Sequence, residues 1–128
     1  MRDLYSNIDA AVALAPAVLT ASANGPAIDL KGANRVAIVV TTGAIVGAGD
    51  FSLKLQESAT TVSGDFADVP PGHVESDAPA TLAAASAYRL GYRGWKRYIR
   101  LVATRAGGTS IALGAVAVRS DLAQRPVA

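Results

Sequence analysis

The sequence contains no cysteine, which excludes disulfides and thiolate metal sites. Aromatic residues make up only 5% of the chain, and much of its 51% apolar content is alanine. Because alanine buries little area per residue, we expect a thin core that contacts with other subunits would supplement. No apolar run reaches the roughly 18 residues of a membrane span. Asp3 and Asp9 precede the apolar stretch 10–21, where a secretion signal carries positive charge. We therefore expect cytoplasmic synthesis and no membrane partner.

Turn-forming clusters recur at short intervals along the 128 residues, for example at 24–26, 47–50, 63–65 and 70–72. The runs between them are too short for helices and rich in β-branched residues. This spacing predicts an all-β fold. We expect one domain over residues 1–128, a single antiparallel β-sandwich that is jelly-roll-like.

Three runs have the pattern of core strands. Residues 35–42 are almost continuously apolar, which is typical of a central strand. Residues 51–58 alternate, and their apolar members Phe51, Leu53 and Leu55 share one face. Residues 97–105 alternate as well and are predicted to turn Ile99, Leu101 and Ala103 inward.

Other segments leave a choice or a weaker prediction. Residues 110–119 are apolar on both faces, so this strand lies either between layers or in a subunit contact. The glycines at 107–108 predict a hairpin, and the span 43–50 is read as an exposed, mobile loop. Residues 6–15 fit a short helix or an extended strand, which Pro16 would place at a sheet edge. We favour the extended form, with residues 1–20 as an N-terminal arm along a neighbour.

No catalytic motif is evident in the sequence. The single histidine, His73, follows a Pro-Pro-Gly turn, and no nucleophile elbow accompanies it. The glycine-rich span 43–49 lacks the Lys-Ser/Thr pair of a phosphate-binding loop. Four clustered acids lack the spacing of a calcium loop; they are Asp65, Asp68, Glu75 and Asp77. We predict no enzyme activity, no cofactor and no metal site.

The segment 88–105 is the most distinctive part of the chain. It holds six of the twelve Lys and Arg residues, three of the four Tyr and the only Trp. Residues up to Gly94 are predicted to be a loop and residues from Arg97 onward a strand. The predicted partner-binding residues are Arg89, Tyr92, Arg93, Trp95, Lys96, Arg97 and Arg100. Such a mixture fits a protein interface, structural packing or single-stranded nucleic acid. The small net charge of +2 argues against a nucleic-acid partner.

Charge is distributed unevenly along the sequence. Residues 1–77 carry four Lys or Arg against nine acids, a balance of −5, whereas residues 78–120 carry seven cations and no acid. Either the folded molecule is dipolar, which suits head-to-tail contacts, or the fold mixes the two halves on every face.

Several segments resemble a group of small structural proteins of tailed bacteriophages. They are 53–58 (LKLQES), 64–69 (GDFADV), 88–100 (YRLGYRGWKRYIR), the opening MRDLYSNI and the closing RPVA. The resemblance covers most of the chain and implies a head-associated role, as a decoration (cement) protein on the outer surface of the capsid. It implies the major capsid protein as partner and a virion location. The thin alanine-rich core favours a homo-oligomer, and our hypothesis is a trimer at a symmetry axis of the capsid. The alternatives are a tail or head–tail joining protein and, from other classes, a nucleic-acid-binding or glycan-binding module.

Overall fold

The computed structural model describes residues 4–122 of the chain. Ten strands account for most of this range. They are β1 (Ile8–Leu19), β2 (Ala23–Asn24), β3 (Ile28–Asp29), β4 (Ala33–Val46), β5 (Asp50–Ser58), β6 (Ala67–Asp68), β7 (Val74–Ser76), β8 (Ala87–Tyr92), β9 (Tyr98–Gly107) and β10 (Ser110–Leu122). Three single turns of 3-10 helix, at Tyr5–Asn7, Ser63–Asp65 and Pro71–His73, are the only helical elements in this part of the chain.

The strands form two antiparallel sheets packed face to face. Sheet I has the order β1-β10-β4-β8-β7, and sheet II has the order β2-β9-β5-β6, with β3 also paired to β9. The predicted β-sandwich is therefore confirmed. Strands that follow each other in the sequence mostly lie in opposite sheets, as in a jelly roll, so the chain crosses repeatedly between the layers.

Two of these crossings lie against each other at one end of the sandwich. The turn at 47–49 joins β4 to β5, and the turn at 108–109 joins β9 to β10. The amide of Thr109 donates a 3.2 Å hydrogen bond to the carbonyl of Gly47. The hairpin predicted at 107–108 is thus wrong, because β9 and β10 belong to different sheets. The loop predicted at 43–50 is also wrong over its first half, since β4 continues to Val46.

The core forms between the inward faces of the two sheets. β9 contributes Ile99, Leu101 and Ala103, all fully buried, as its alternation predicted. β5 contributes Phe51 and Leu55, both buried. The central position predicted for residues 35–42 is confirmed, because β4 lies between β10 and β8.

The N-terminal segment is extended, as favoured above, and is an edge strand. β1 pairs along its length with β10 of the same chain, so from Ile8 onward it belongs to sheet I rather than to a detached arm. Its register shifts between Leu14 and Ala17, around Pro16. Proline has no amide hydrogen to donate to a ladder, so it is accommodated at the edge of the sheet.

The two apolar faces of β10 have different surroundings. Alternate residues from Ile111 to Ala117 point into the core, whereas Val116 points outward and is 43% exposed. In register, Val116 lies between Val12 on β1 and Val39 on β4, which are 55% and 39% exposed. We call these three residues the valine row. The row ends at Arg89, the partner of Val39 on β8.

Candidate functional site

The seven predicted partner-binding residues do not share one surface. Leu90 and Tyr92 of β8 are buried, so Arg89, one position before Leu90, points outward from sheet I. On β9, Ile99 and Leu101 are buried, so Arg100 points outward from sheet II. The other five residues lie at or in the segment that joins the two strands. Residues 88–92, predicted to be a loop, are a strand.

Arg89 and Arg100 also have contacts within the chain. The Nε atom of Arg89 lies 3.5 Å from a carboxylate oxygen of Asp77. The Nε atom of Arg100 donates a 2.7 Å hydrogen bond to the side-chain oxygen of Gln56. The Arg100 guanidinium also lies 4.5 Å from the centre of the Phe66 ring. These contacts fit the structural-packing alternative for both arginines.

The connecting segment, residues 93–97, is named the Trp95 loop here. Its inner support is Tyr92, which is only 7% exposed. The Tyr92 hydroxyl donates a 2.8 Å hydrogen bond to Glu57 and accepts a 3.0 Å bond from the amide of Lys96. Burial and the bond to the Glu57 carboxylate raise the pKa of Tyr92 to about 12. Gly94 packs on the same ring, because a Cβ atom there would lie 2.4 Å from the hydroxyl oxygen.

Both ends of the Trp95 loop are fixed as well. At the start, the amide of Arg93 bonds to the carbonyl of His73 at 2.7 Å, and its guanidinium lies 3.3 Å from Glu75. At the end, Arg97 makes two 3.0 Å hydrogen bonds to the two carboxylate oxygens of Asp29. The bonds from Arg97 and from the Lys31 amide lower the pKa of Asp29 to about 2.

Trp95 and Lys96 are the two loop side chains that project without an ion pair to any described residue. Trp95 is 78% exposed, and its indole lies 4.8 Å from the His73 ring in an edge-on arrangement. The loop therefore presents an exposed tryptophan and an ammonium group from a backbone held at both ends and in the middle. Rigid aromatic side chains beside cations are typical of protein-binding hot spots.

A groove of about 410 Å³ lies between the Trp95 loop and the segment 30–36. Its apolar lining includes Leu30, Ala33, Val36 and the ring of Tyr92. Its cationic lining consists of Lys31, Arg35, Lys96 and Arg97. The sequence did not predict Lys31 and Arg35, because both lie some sixty positions before the loop and their proximity depends on the pairing of β3 with β9.

The uneven charge of the sequence is mixed by the fold. Four ion pairs join acids of residues 1–77 to cations of residues 78–120; they are Asp9–Arg119, Asp29–Arg97, Glu75–Arg93 and Asp77–Arg89. Three of the four pairs are exposed to solvent, which screens them, so they contribute little to stability. Their main consequence is that three of the five predicted contact cations, Arg89, Arg93 and Arg97, are paired with acids, whereas Lys96 in the groove has no ion pair with a described residue.

The surroundings of His73 and the grouping of acidic side chains bear on acid–base and metal chemistry. His73 contacts Trp95, and among residues 4–122 no carboxylate or hydroxyl hydrogen-bonds to its ring. The same residues contain no group of three or more His, Asp or Glu side chains that could hold a metal ion. The arrangement suits binding through an apolar and cationic surface.

No protein-family model, curated protein or solved structure matches this chain. Within residues 4–122 there is no helix long and apolar enough to cross a membrane. The fold and site together define an all-β sandwich with a cationic, tryptophan-bearing groove at one end.

Proposed function

We propose that this protein is a non-enzymatic structural component of a tailed-phage virion, a decoration protein bound to the outer surface of the head. There it would reinforce junctions between major capsid subunits. The observation that carries the proposal is the Trp95 loop. Its backbone donates hydrogen bonds to the Tyr92 hydroxyl and the His73 carbonyl, and its Arg93 and Arg97 side chains pair with Glu75 and Asp29, while Trp95 projects. A preordered aromatic anchor loses little conformational entropy on binding.

This proposal assigns capsid contact to fewer residues than the sequence prediction did. Trp95 and Lys96 contact the capsid. Arg97 adds positive charge beside them while it remains paired with Asp29. Tyr92 and Arg93 act by holding the loop. Arg89 and Arg100 take no part, because they lie on opposite outer faces of the sandwich.

The valine row supports self-association as a further part of the proposal. Three valines adjacent across β1, β10 and β4 form an apolar strip without a formal charge that would select a charged partner. An identical strip on a second copy offers matching chemistry. We propose that copies contact one another here, in the trimer favoured above.

Incorporation into heads tests the capsid-binding proposal. Particles would be assembled with wild-type protein and with a Trp95→Ala, Lys96→Glu double variant, and bound copies would be counted by quantitative mass spectrometry. We expect the double variant to be absent from heads and Lys54→Glu, a charge reversal on the outer face of sheet II away from the loop and the valine row, to be incorporated normally. Arg93 and Arg97 are poor test sites, since reversing either charge breaks an internal ion pair and disturbs the loop.

Copy number separates the virion alternatives. A decoration protein occupies many equivalent head positions, whereas a tail or head–tail joining protein occurs in a few copies at one vertex. Equal incorporation of the double variant and the wild type would contradict the role of the loop. A low copy number confined to the connector would contradict the decoration assignment.

A further inference from the structure

We infer that the groove beside Trp95 binds an extended acidic peptide segment that carries at least one apolar side chain. This inference rests on the proposed function, because the segment would be supplied by the partner on the virion. It goes further by assigning the groove as the receiving element, with a defined ligand chemistry, in addition to the projecting indole.

The charges of the groove select an anion. Lys31 and Arg35 line the groove from the segment 30–36, and Lys96 and Arg97 line it from the loop. One carboxylate, Asp29, is engaged with Arg97. No described residue forms an ion pair with the ammonium group of Lys31 or Lys96. Both ammonium groups are therefore available to pair with carboxylates that enter the groove.

The apolar lining of the groove favours a ligand that carries an apolar side chain. Leu30 and Val36 are half-buried residues of the groove, and Trp95 lies at its exposed margin. An aliphatic side chain placed between them would remove apolar area from water, at about 25 cal/mol per Å² buried. The volume of about 410 Å³ falls within the range of roughly 300–1,000 Å³ found for small-ligand sites.

A peptide suits this groove better than nucleic acid. Single-strand binders stack successive bases on several aromatic side chains along a basic track. Here Trp95 is the one exposed ring of the groove, because the Tyr92 ring is buried. Cations from both the Trp95 loop and the segment 30–36, together with the apolar lining residues, match an extended chain that carries carboxylates and an aliphatic side chain.

The experiment uses Trp95 as a built-in reporter, since it is the only tryptophan in the sequence. The full-length protein would be titrated with a short peptide of aspartate and glutamate containing one central leucine, and indole fluorescence would be followed. We expect a saturable change in emission, weakened by added salt because the contacts are partly electrostatic. Control titrations use a lysine-rich peptide with the same leucine, the acidic peptide with serine in place of leucine, and an oligothymidylate.

Matched variants locate the binding. Lys31→Glu and Lys96→Glu should each weaken peptide affinity by roughly tenfold, whereas Arg89→Glu, with the same change of charge on the outer face of sheet I, should leave it unchanged. Circular dichroism of each variant would check that the fold is retained. A variant that fails to fold would be replaced by the neutral Lys31→Gln or Lys96→Gln.

The outcomes distinguish the inference from the proposed function. No emission change with the acidic peptide, or equal affinity in all three charge variants, would overturn the inference even if the protein still binds heads. Tighter binding of the oligothymidylate than of the acidic peptide would overturn it in favour of a nucleic-acid site. Peptide binding by a protein that is absent from heads would leave the inference standing and contradict the decoration role.

Discussion

The hydroxyl of Tyr92 donates a 2.8 Å hydrogen bond to the carboxylate of Glu57, across the gap between the two sheets. The same oxygen accepts the amide of Lys96 at 3.0 Å. A single oxygen atom therefore links β8 of sheet I, β5 of sheet II and the Trp95 loop. Both the stability of this end of the sandwich and the shape of the loop depend on it.

Tyr92→Phe should destabilise the protein by about 1–2 kcal/mol, because the Lys96 amide and the Glu57 carboxylate both lose a partner. The measurement is urea unfolding at neutral pH. Tyr98→Phe is the matched control, since no described residue hydrogen-bonds to the Tyr98 hydroxyl. Equal stability of Tyr92→Phe and the wild type would show that the hydroxyl does not hold the loop.

The raised pKa of Tyr92 gives a pH dependence with a defined sign. The folded pKa is about 12, above the ordinary value of 10.0, so the stabilisation is complete below pH 10 and is lost as pH rises through 12. Unfolding free energies measured from pH 9 upward should therefore fall more steeply for the wild type than for Tyr92→Phe. Parallel curves for the two proteins would contradict the assignment.

The lowered pKa of Asp29 predicts that the protein loses stability as pH falls, which is opposite in sign to the dependence expected for Tyr92. The pKa of Asp29 is lowered from 3.8 to about 2, chiefly by the hydrogen bonds from Arg97. The stabilisation is present above pH 3.8 and is lost as pH falls through 2. Asp29→Asn should be less stable than the wild type at pH 6, and the difference should shrink towards pH 2 in urea-unfolding series. A difference that stays constant with pH would rule out the ion pair as its cause.

Gly108 is required at the paired sheet crossings. Its φ is +73°, and a Cβ atom there would lie 2.1 Å from the carbonyl oxygen of Ala48. Gly108→Ala should cost about 2–4 kcal/mol in thermal or urea unfolding. Gly107→Ala is the control, because no atom lies within 4 Å of its added methyl. Comparable losses in both variants would contradict the close approach of the two turns.

The valine row predicts how self-association is disrupted. Val116→Lys places a charge at the centre of the row and should abolish association in sedimentation equilibrium. Its effect on unfolding free energy should stay within about 0.5 kcal/mol, as for other exposed sites. Val62→Lys is the matched control, because Val62 is the same residue type, is 60% exposed and lies outside the valine row, in the segment between β5 and β6. A wild-type protein that is monomeric at all concentrations would contradict the proposed contact.

Sequence patterns predicted the strands well where one face is buried. The alternation of 51–58 and 97–105 follows from the two-residue period of a strand, which depends on local geometry alone. Pairing of strands does not follow from it. The glycines at 107–108 allow either a hairpin or a crossing between sheets, because both need a residue with positive φ. Contacts between remote segments decide which one forms.

The candidate site was predicted only in part, for a similar reason. The composition of 88–105 pointed to Trp95 and its neighbours, but not to Lys31 on the facing wall of the groove. It also grouped Arg89 and Arg100 with the loop, although strand alternation on two different sheets turns them to opposite outer faces. Residues adjacent in sequence were separated, and residues sixty or more positions apart were brought together.

The sequence by itself determined an all-β chain with buried faces on its main strands, because side-chain periodicity and turn chemistry act over a few residues. Only the tertiary structure decided which charges remain for a partner. Arg97 and Asp29 are 68 positions apart, and their ion pair exists because β3 pairs with β9. Coulomb interactions depend on distance in space, which sequence separation does not encode, so the cationic groove is a property of the fold.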